Sequence, residues 1–129
     1  MLKTGILNPQ INSLLSRVRH TNTVVIVDRG FPFCPTVDTI DISLVDDLPR
    51  VLDVLRAVQG NFSIGGCVMA EEFRHISPPD VVDQWTDFMK GMEIVFEPHT
   101  EFKLRVSQAI GIIRTADTTP YSNVILESA

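Results

Sequence analysis

The run Val24-Val25-Ile26-Val27-Asp28 decides the fold. Four β-branched residues in succession are too short for a helix and apolar toward both sides, the pattern of a strand buried on both faces inside a sheet. Helical and strand signals alternate on either side of it without a linker. Upstream, Asn8 is a good N-cap and Pro9 a good first helical residue. Ile11, Leu14, Leu15 and Val18 then follow the i, i+3, i+4, i+7 stripe of an amphipathic helix that should end near His20. Downstream, Thr39 to Leu44 alternates around Ile40, Ile42 and Leu44 as a half-exposed strand. Asp46 or Asp47 is placed to cap a helix with the stripe Leu48, Val51, Leu52, Leu55 and Val58, with Pro49 near its first turn.

Past Gly60 the alternation continues. Phe62 to Ala70 reads as a strand, in which Gly65-Gly66 suggests a bulge or a close backbone approach. Ser77-Pro78-Pro79-Asp80 breaks the chain, and Val81, Val82, Trp85, Phe88, Met89 and Met92 fit a helix. Glu93 to Phe96 follows as a strand and Glu101 to Gln108 as a helix. The strands Ile110 to Arg114 and Val124 to Leu126 are joined by a connection too short for a crossover helix, so they should run antiparallel in a mixed sheet. The expectation is an α/β fold in a single domain over residues 1–129: a three-layer α/β/α sandwich on a mixed, mostly parallel central sheet.

Composition excludes several functions. At 129 residues, 44% hydrophobic and 21% charged, the chain has material for one sizeable core. A net charge of -5, with only eleven Lys and Arg and those scattered, argues against nucleic acid as a partner. The opening Met1 to Pro9 has no continuous apolar stretch and nothing later approaches eighteen uninterrupted apolar residues, so no membrane insertion and a cytoplasmic location are expected. Cys34 and Cys67 make no disulfide framework and read as free thiols. His20, His75 and His99 lack zinc-ligand spacing, so no metal is implied. Glu71 and Glu72, as neighbours on a strand, would face opposite ways, and His75 reads as loop surface.

Each remaining polar candidate has a plain reading and a chemical one. Asp28 ends a buried strand, where open α/β sheets bind ligands, yet an Asp before Gly30 also makes turns. His20 follows a helix and would serve as its C-terminal cap. His99 follows Pro98 and precedes a helix, the place of an exposed N-terminal residue. Thr119-Pro120-Tyr121-Ser122-Asn123 lies between two apolar strands, so a phenol and a carboxamide are presented from a Pro-stiffened connection suited to hydrogen-bonding a polyol. By residue type alone those two are a strand aromatic and a turn amide.

These runs, in order along nearly the whole chain, resemble the D-ribose pyranase and L-fucose mutarotase family (RbsD/FucU-like). The matching segments are His20-Thr21-Asn22, Val27-Asp28-Arg29-Gly30-Phe31-Pro32, Ile40-Asp41-Ile42-Ser43-Leu44, Pro98-His99-Thr100-Glu101-Phe102-Lys103 and Arg114 to Leu126. The resemblance implies an isomerase that opens a hemiacetal to the aldehyde and recloses it, exchanging pyranose, furanose and anomeric forms without a cofactor. It implies His20 as general acid/base, since an imidazole with an unperturbed pKa of about 6.5 suits proton removal and donation near neutrality. It implies Asp28 as an orienting and hydroxyl-accepting group, and His99, Lys103, Tyr121, Ser122 and Asn123 as sugar ligands. The segment from Pro98 to Lys103 matches the ribose-type branch, whereas the fucose-type segment lacks this His. The alternatives are an L-fucose-type mutarotase and a non-catalytic sugar-binding accessory protein of an uptake system.

The family also forms rings, ribose pyranases being decamers of two pentameric rings with sites shared between neighbours. Fully extended, the eight steps from His20 to Asp28 span about 26 Å, more than one sugar covers, so either the His20-Thr21-Asn22-Thr23 turn brings the chain back or the site is assembled from two subunits of a homo-oligomer; given the resemblance, the shared site is expected. Two runs depart from the family pattern. Arg19-His20-Thr21-Asn22 stands where Gly-His, then Thr or Gly, then Asp is usual, and Asp28-Arg29-Gly30 stands for Asp-Ala-Gly. The Arg29 guanidinium would either pair with Asp28 or narrow the pocket.

Overall fold

In a computed structural model, which describes residues 1–3 and 5–129, Val24, Val25, Ile26 and Val27 are fully buried. They form β1 (Thr23–Val27) in a six-stranded sheet with β2 (Asp38–Asp41), β3 (Ile64–Ala70), β4 (Ile94–Glu97), β5 (Gly111–Arg114) and β6 (Val124–Ser128), in the order β2-β5-β1-β6-β3-β4. Alternation along β1 divides its side chains between two cores. Val24 and Ile26 pack with residues of α1 (Pro9–Arg17), α2 (Val51–Gln59), α3 (Glu72–Ile76) and α4 (Pro79–Phe88). Val25 and Val27 pack on the other face with Phe31, Val37 and, from α5 (His99–Val106), Phe102 and Val106. The expected α/β sandwich is therefore present. Its sheet is mixed and mostly parallel, with β1/β5, β2/β5 and β3/β4 parallel and β1/β6 and β3/β6 antiparallel.

β5 and β6 run in opposite directions, as their short connection requires, but they do not pair. β1 lies between them, parallel to β5 and antiparallel to β6. Residues 115–123 therefore cross the carboxyl end of β1 instead of closing a hairpin. With Val124 opposite Ile26, Asn123 arrives beside the residue that follows β1.

Several local expectations are corrected. α1 is capped by Asn8, whose Oδ1 accepts the Ile11 N–H at 3.0 Å, but it stops at Arg17. Its C-cap is an extended Val18, so His20 lies beyond the helix and caps nothing. Asn22 Oδ1 takes the Arg19 N–H at 2.9 Å, and Thr21 adopts φ 66°, turning the chain into β1. Close packing of α1 on β5 depends on Gly111, where a Cβ would come within 2.5 Å of a Leu14 methyl.

β2 ends at Asp41, because the Asp41 carboxylate takes the N–H and the hydroxyl of Ser43; Leu44 is 74% exposed. α2 is not capped by Asp46 or Asp47. It starts at Val51, with Asp53 accepting the Arg50 N–H at 2.8 Å and Asp117 accepting the Val51 N–H at 3.0 Å. Glu71 and Glu72 are not strand neighbours but open α3, where Glu71 pairs with Arg74 and His75. α4 ends at Phe88, and α5 begins at His99, two residues before the expected start. The Gly65-Gly66 expectation holds in both forms: the β3/β6 register is irregular between Ile64 and Gly66, and a Cβ on Gly65 would meet the Ala129 backbone at 3.1 Å.

Both cysteines are free, and burial pushes the Cys67 thiol up to about 11. Among the described residues no helix is long and apolar enough to cross a membrane.

Candidate functional site

Asp28, the first residue past β1, is both the turn residue and the strand-end acid that its position allows. Its main-chain N–H donates to Asn123 Oδ1 at 2.7 Å, and its Oδ1 accepts the Gly30 N–H at 2.9 Å. Only 8% of Asp28 is exposed. Burial raises its pKa above the usual carboxylate value; hydrogen bonds from the Asn123 side chain and the Gly30 and Phe31 backbone act in the opposite direction, while the nearby Asp117 adds to the rise. Arg29 does not pair with Asp28. Its guanidinium turns outward to Asp46 at 2.7 Å, on the rim of the cavity. Arg114 holds the turn from the other side, Nη1 donating to the Phe31 carbonyl at 2.8 Å.

His99 opens α5 with its backbone N–H shared between the two Glu72 oxygens at 3.1 and 3.0 Å. It is not the freely exposed helix-end residue of the plain reading. The imidazole lies parallel to Phe102 at 6.0 Å and meets Phe31 and Tyr121 edge-on at 6.1 and 5.1 Å. Nδ1 is buried and has no hydrogen-bond partner among the described residues. Burial, then the charge of Lys103, holds the His99 pKa below the ordinary imidazole value, with Glu72 and Asp28 opposing. Lys103, one turn on, is exposed and outside the cavity lining, so within the chain it reaches the site through its charge.

The loop before β6 supplies the opposite wall. Tyr121 sits in the left-handed region at φ 60°, which directs its ring to His99. Ser77 Oγ donates to the Pro120 carbonyl at 2.6 Å and anchors the turn to the end of α3. Ser122 faces inward: it is fully buried, its hydroxyl donates to the Thr119 carbonyl at 2.8 Å, and it does not line the cavity. Asn123 is 1% exposed and reaches both the cavity and Asp28.

Together Asp28, Phe31, His99, Asp117, Tyr121 and Asn123 surround a cavity of about 360 Å³. That is the lower end of the range for small-molecule sites, suited to a single small polar ligand. A carboxylate, an imidazole, a phenol and an amide offer donors and acceptors for several hydroxyls, while Phe31 and Tyr121 supply flat apolar surface. Among the described residues no group of His, Cys, Asp and Glu is arranged to hold a metal. His20 is not brought to this cavity within the chain. It lies exposed in the turn before β1, at the opposite end of the strand from Asp28.

Asp117 escaped the sequence reading, although it lies within the run from Arg114 to Leu126. It is 3% exposed and has two carboxylate bonds to backbone donors. An Asp followed by Thr-Thr-Pro is the local signal that marks such a turn-making carboxylate.

The model of the RbsD / FucU transport protein family matches residues 1–129. A D-ribose pyranase of Geobacillus kaustophilus is 42% identical over 128 residues, covering 99% of this chain and 93% of the relative. A D-ribose pyranase of Pseudothermotoga lettingae is 35% identical over 126 residues, covering 98% and 90%. The structure of Bacillus subtilis RbsD complexed with D-ribose superimposes with a TM-score of 0.92 at 32% identity, covering 100% of this chain and 98% of that one. The Streptococcus pneumoniae fucose mutarotase, solved with L-fucose, gives 0.83 at 17% identity, covering 99% and 98%, a likeness of fold.

Proposed function

The chain belongs to the RbsD / FucU transport protein family, and on that premise we propose that it is a D-ribose pyranase, an isomerase exchanging pyranose, furanose and anomeric forms by acid/base opening and closing of the ring. The observation that carries the reading is the cluster of Asp28, His99, Tyr121 and Asn123 around one cavity, with His99 Nδ1 buried and lacking a partner among the described residues. A sugar hydroxyl would satisfy that nitrogen. Relatives at 30–42% identity bearing the name D-ribose pyranase, and the ribose complex of Bacillus subtilis RbsD, support ribose over fucose.

Ring opening removes the proton of the anomeric hydroxyl and delivers one to the ring oxygen. Asp28 accepts from a sugar hydroxyl and orients the ring; His99, Tyr121 and Asn123 bind the remaining hydroxyls, with the Lys103 cation alongside. Ser122 contributes by holding the loop. His20 transfers the proton, a role typically worth 10²–10⁴-fold. Because His20 lies at the far end of β1 from its own cavity, it serves the cavity of a neighbouring subunit in a ring-shaped homo-oligomer, of pentamers or a decamer, working in the cytoplasm.

The test is to add the protein to ribose, fucose and other aldoses and follow ring-form exchange by saturation-transfer NMR. Acceleration with ribose is expected. Fastest exchange with fucose would replace ribose by fucose, and binding without any exchange would make the protein an accessory sugar binder.

A further inference from the structure

Asp117 is the one buried carboxylate of the cavity wall to which the reaction assigns nothing. Four hydrogen bonds tie the residue to three other parts of the chain. Oδ2 accepts the Val51 N–H, the first of α2, at 3.0 Å, and Oδ1 accepts the Thr119 N–H at 2.9 Å. Its carbonyl accepts the Arg29 N–H at 3.0 Å, and its own N–H donates to Thr115 Oγ1 at 3.2 Å. Among the described residues no cation pairs with it; both carboxylate oxygens are held by neutral amides, one at a helix N-terminus where negative charge is favoured.

We infer that Asp117 is a positioning residue for sugar binding: it clamps the start of α2 to the turn that carries Tyr121, and to the Asp28–Gly30 turn opposite, so that both walls keep one separation. Lose the clamp and Thr119 is free to swing, taking with it the left-handed Tyr121 that faces His99. The same carboxylate lies beside Asp28 and, after burial, adds to the rise of the Asp28 pKa. Facing Asp28 are Asp117 from this loop and His99 from α5, with the Asn123 amide from the residue just before β6; Arg29 is engaged by Asp46, and the Lys103 charge acts on His99. Removal of the Asp117 charge therefore lowers the Asp28 pKa. Opening of the fold would lower it as well, by relieving burial, so the shift is read beside Asp117→Glu, which disturbs the clamp but keeps the charge.

The inference rests on the proposed sugar site, and its test separates the two. The parent protein is assayed first; if it binds ribose without ring exchange, the pyranase reading fails and the Asp117 inference is judged on binding alone. Asp117→Asn and Asp117→Glu are then compared by ribose titration, by thermal melting and by the carboxyl carbon-13 signal of Asp28 across pH. Asp117→Asn places an amide N–H against a backbone N–H, and ribose affinity should fall about ten-fold or more. The Asp28 titration should shift to lower pH. Asp117→Glu keeps the charge but displaces it by a methylene, so the Asp28 titration should stay near that of the parent while affinity remains weakened. Parental affinity with an unmoved Asp28 titration in folded Asp117→Asn overturns the inference. If Asp117→Asn fails to fold, parental affinity in Asp117→Glu overturns it equally.

Discussion

The Asn123 side-chain oxygen accepts the Asp28 main-chain N–H at 2.7 Å, joining residues 95 positions apart in sequence. The bond exists because β6 inserts antiparallel beside β1, which places the residue before β6 against the residue after β1. The Asp28 backbone is thereby held by an amide that faces the same cavity as the Asp28 carboxylate.

Replacing Asn123 with Ala should remove that acceptor and leave a buried N–H unpaired, destabilising the fold by about 1–3 kcal/mol. The Asn123 side chain also lowers the Asp28 pKa, so its loss should move the Asp28 titration to higher pH. Thermal melts and carbon-13 titration check both parts; an unchanged titration would show that the amide does not stabilise the charged form.

Asp28→Asn should abolish at least about 100-fold of exchange while raising the melting temperature at pH 7. Because burial raises the folded-state pKa of Asp28, the charged carboxylate costs stability above that pKa, and the cost disappears as pH falls through it. The stability advantage of the variant should therefore be full at neutral pH and vanish on acidification. A variant less stable than the parent at pH 7 contradicts this.

His99 has a depressed pKa, so the loss of ribose affinity that its protonation causes on acidification should come at lower pH than for an ordinary imidazole. The Lys103 cation is the second cause of the depression, after burial. Lys103→Gln should consequently raise the His99 pKa and move the acid limb of ribose binding to higher pH. An imidazole proton resonance that titrates at the same pH in both proteins sinks the assignment.

His20 is exposed, so His20→Ala should lower exchange by about 10²–10⁴-fold with little change in melting temperature. Mixing His20→Ala with Tyr121→Ala protein under subunit-exchange conditions should regenerate activity, since some sites would then carry His20 from one chain and Tyr121 from the other. A fully active monomer, or proven exchange without complementation, would remove the division of the site between subunits.

The elements were largely legible because their signals are local. A β-branched run such as Val24 to Val27 marks a buried strand, and the stripe from Ile11 to Val18 marks an amphipathic face, whatever lies elsewhere in the chain. Boundaries were less so where side chains compete with the ladder or the helix: Asp41 turns the chain at Ser43, and Asp117, not Asp46 or Asp47, meets the first N–H of α2. Asp28, His99, Tyr121 and Asn123 stood out as candidates from strand ends, turn chemistry and the family resemblance, and the structure places all four on one cavity. It turns Ser122 inward, because a loop side chain's direction depends on backbone angles that the neighbours impose, as with Tyr121 at φ 60°, and it leaves Lys103 at the margin as an exposed residue of α5.

By itself, then, the sequence determined the succession of helices and strands apart from the short α3, a core for both faces of a sheet and the residue types for a polyol, since hydrophobic period and turn chemistry act over a few residues. Only the tertiary structure decided that β1 separates β5 from β6 and that Asp117 belongs to the cavity wall. Strand order and register are settled by packing and hydrogen bonds between segments distant in the chain, and no local pattern encodes which of those pairings has the lowest free energy.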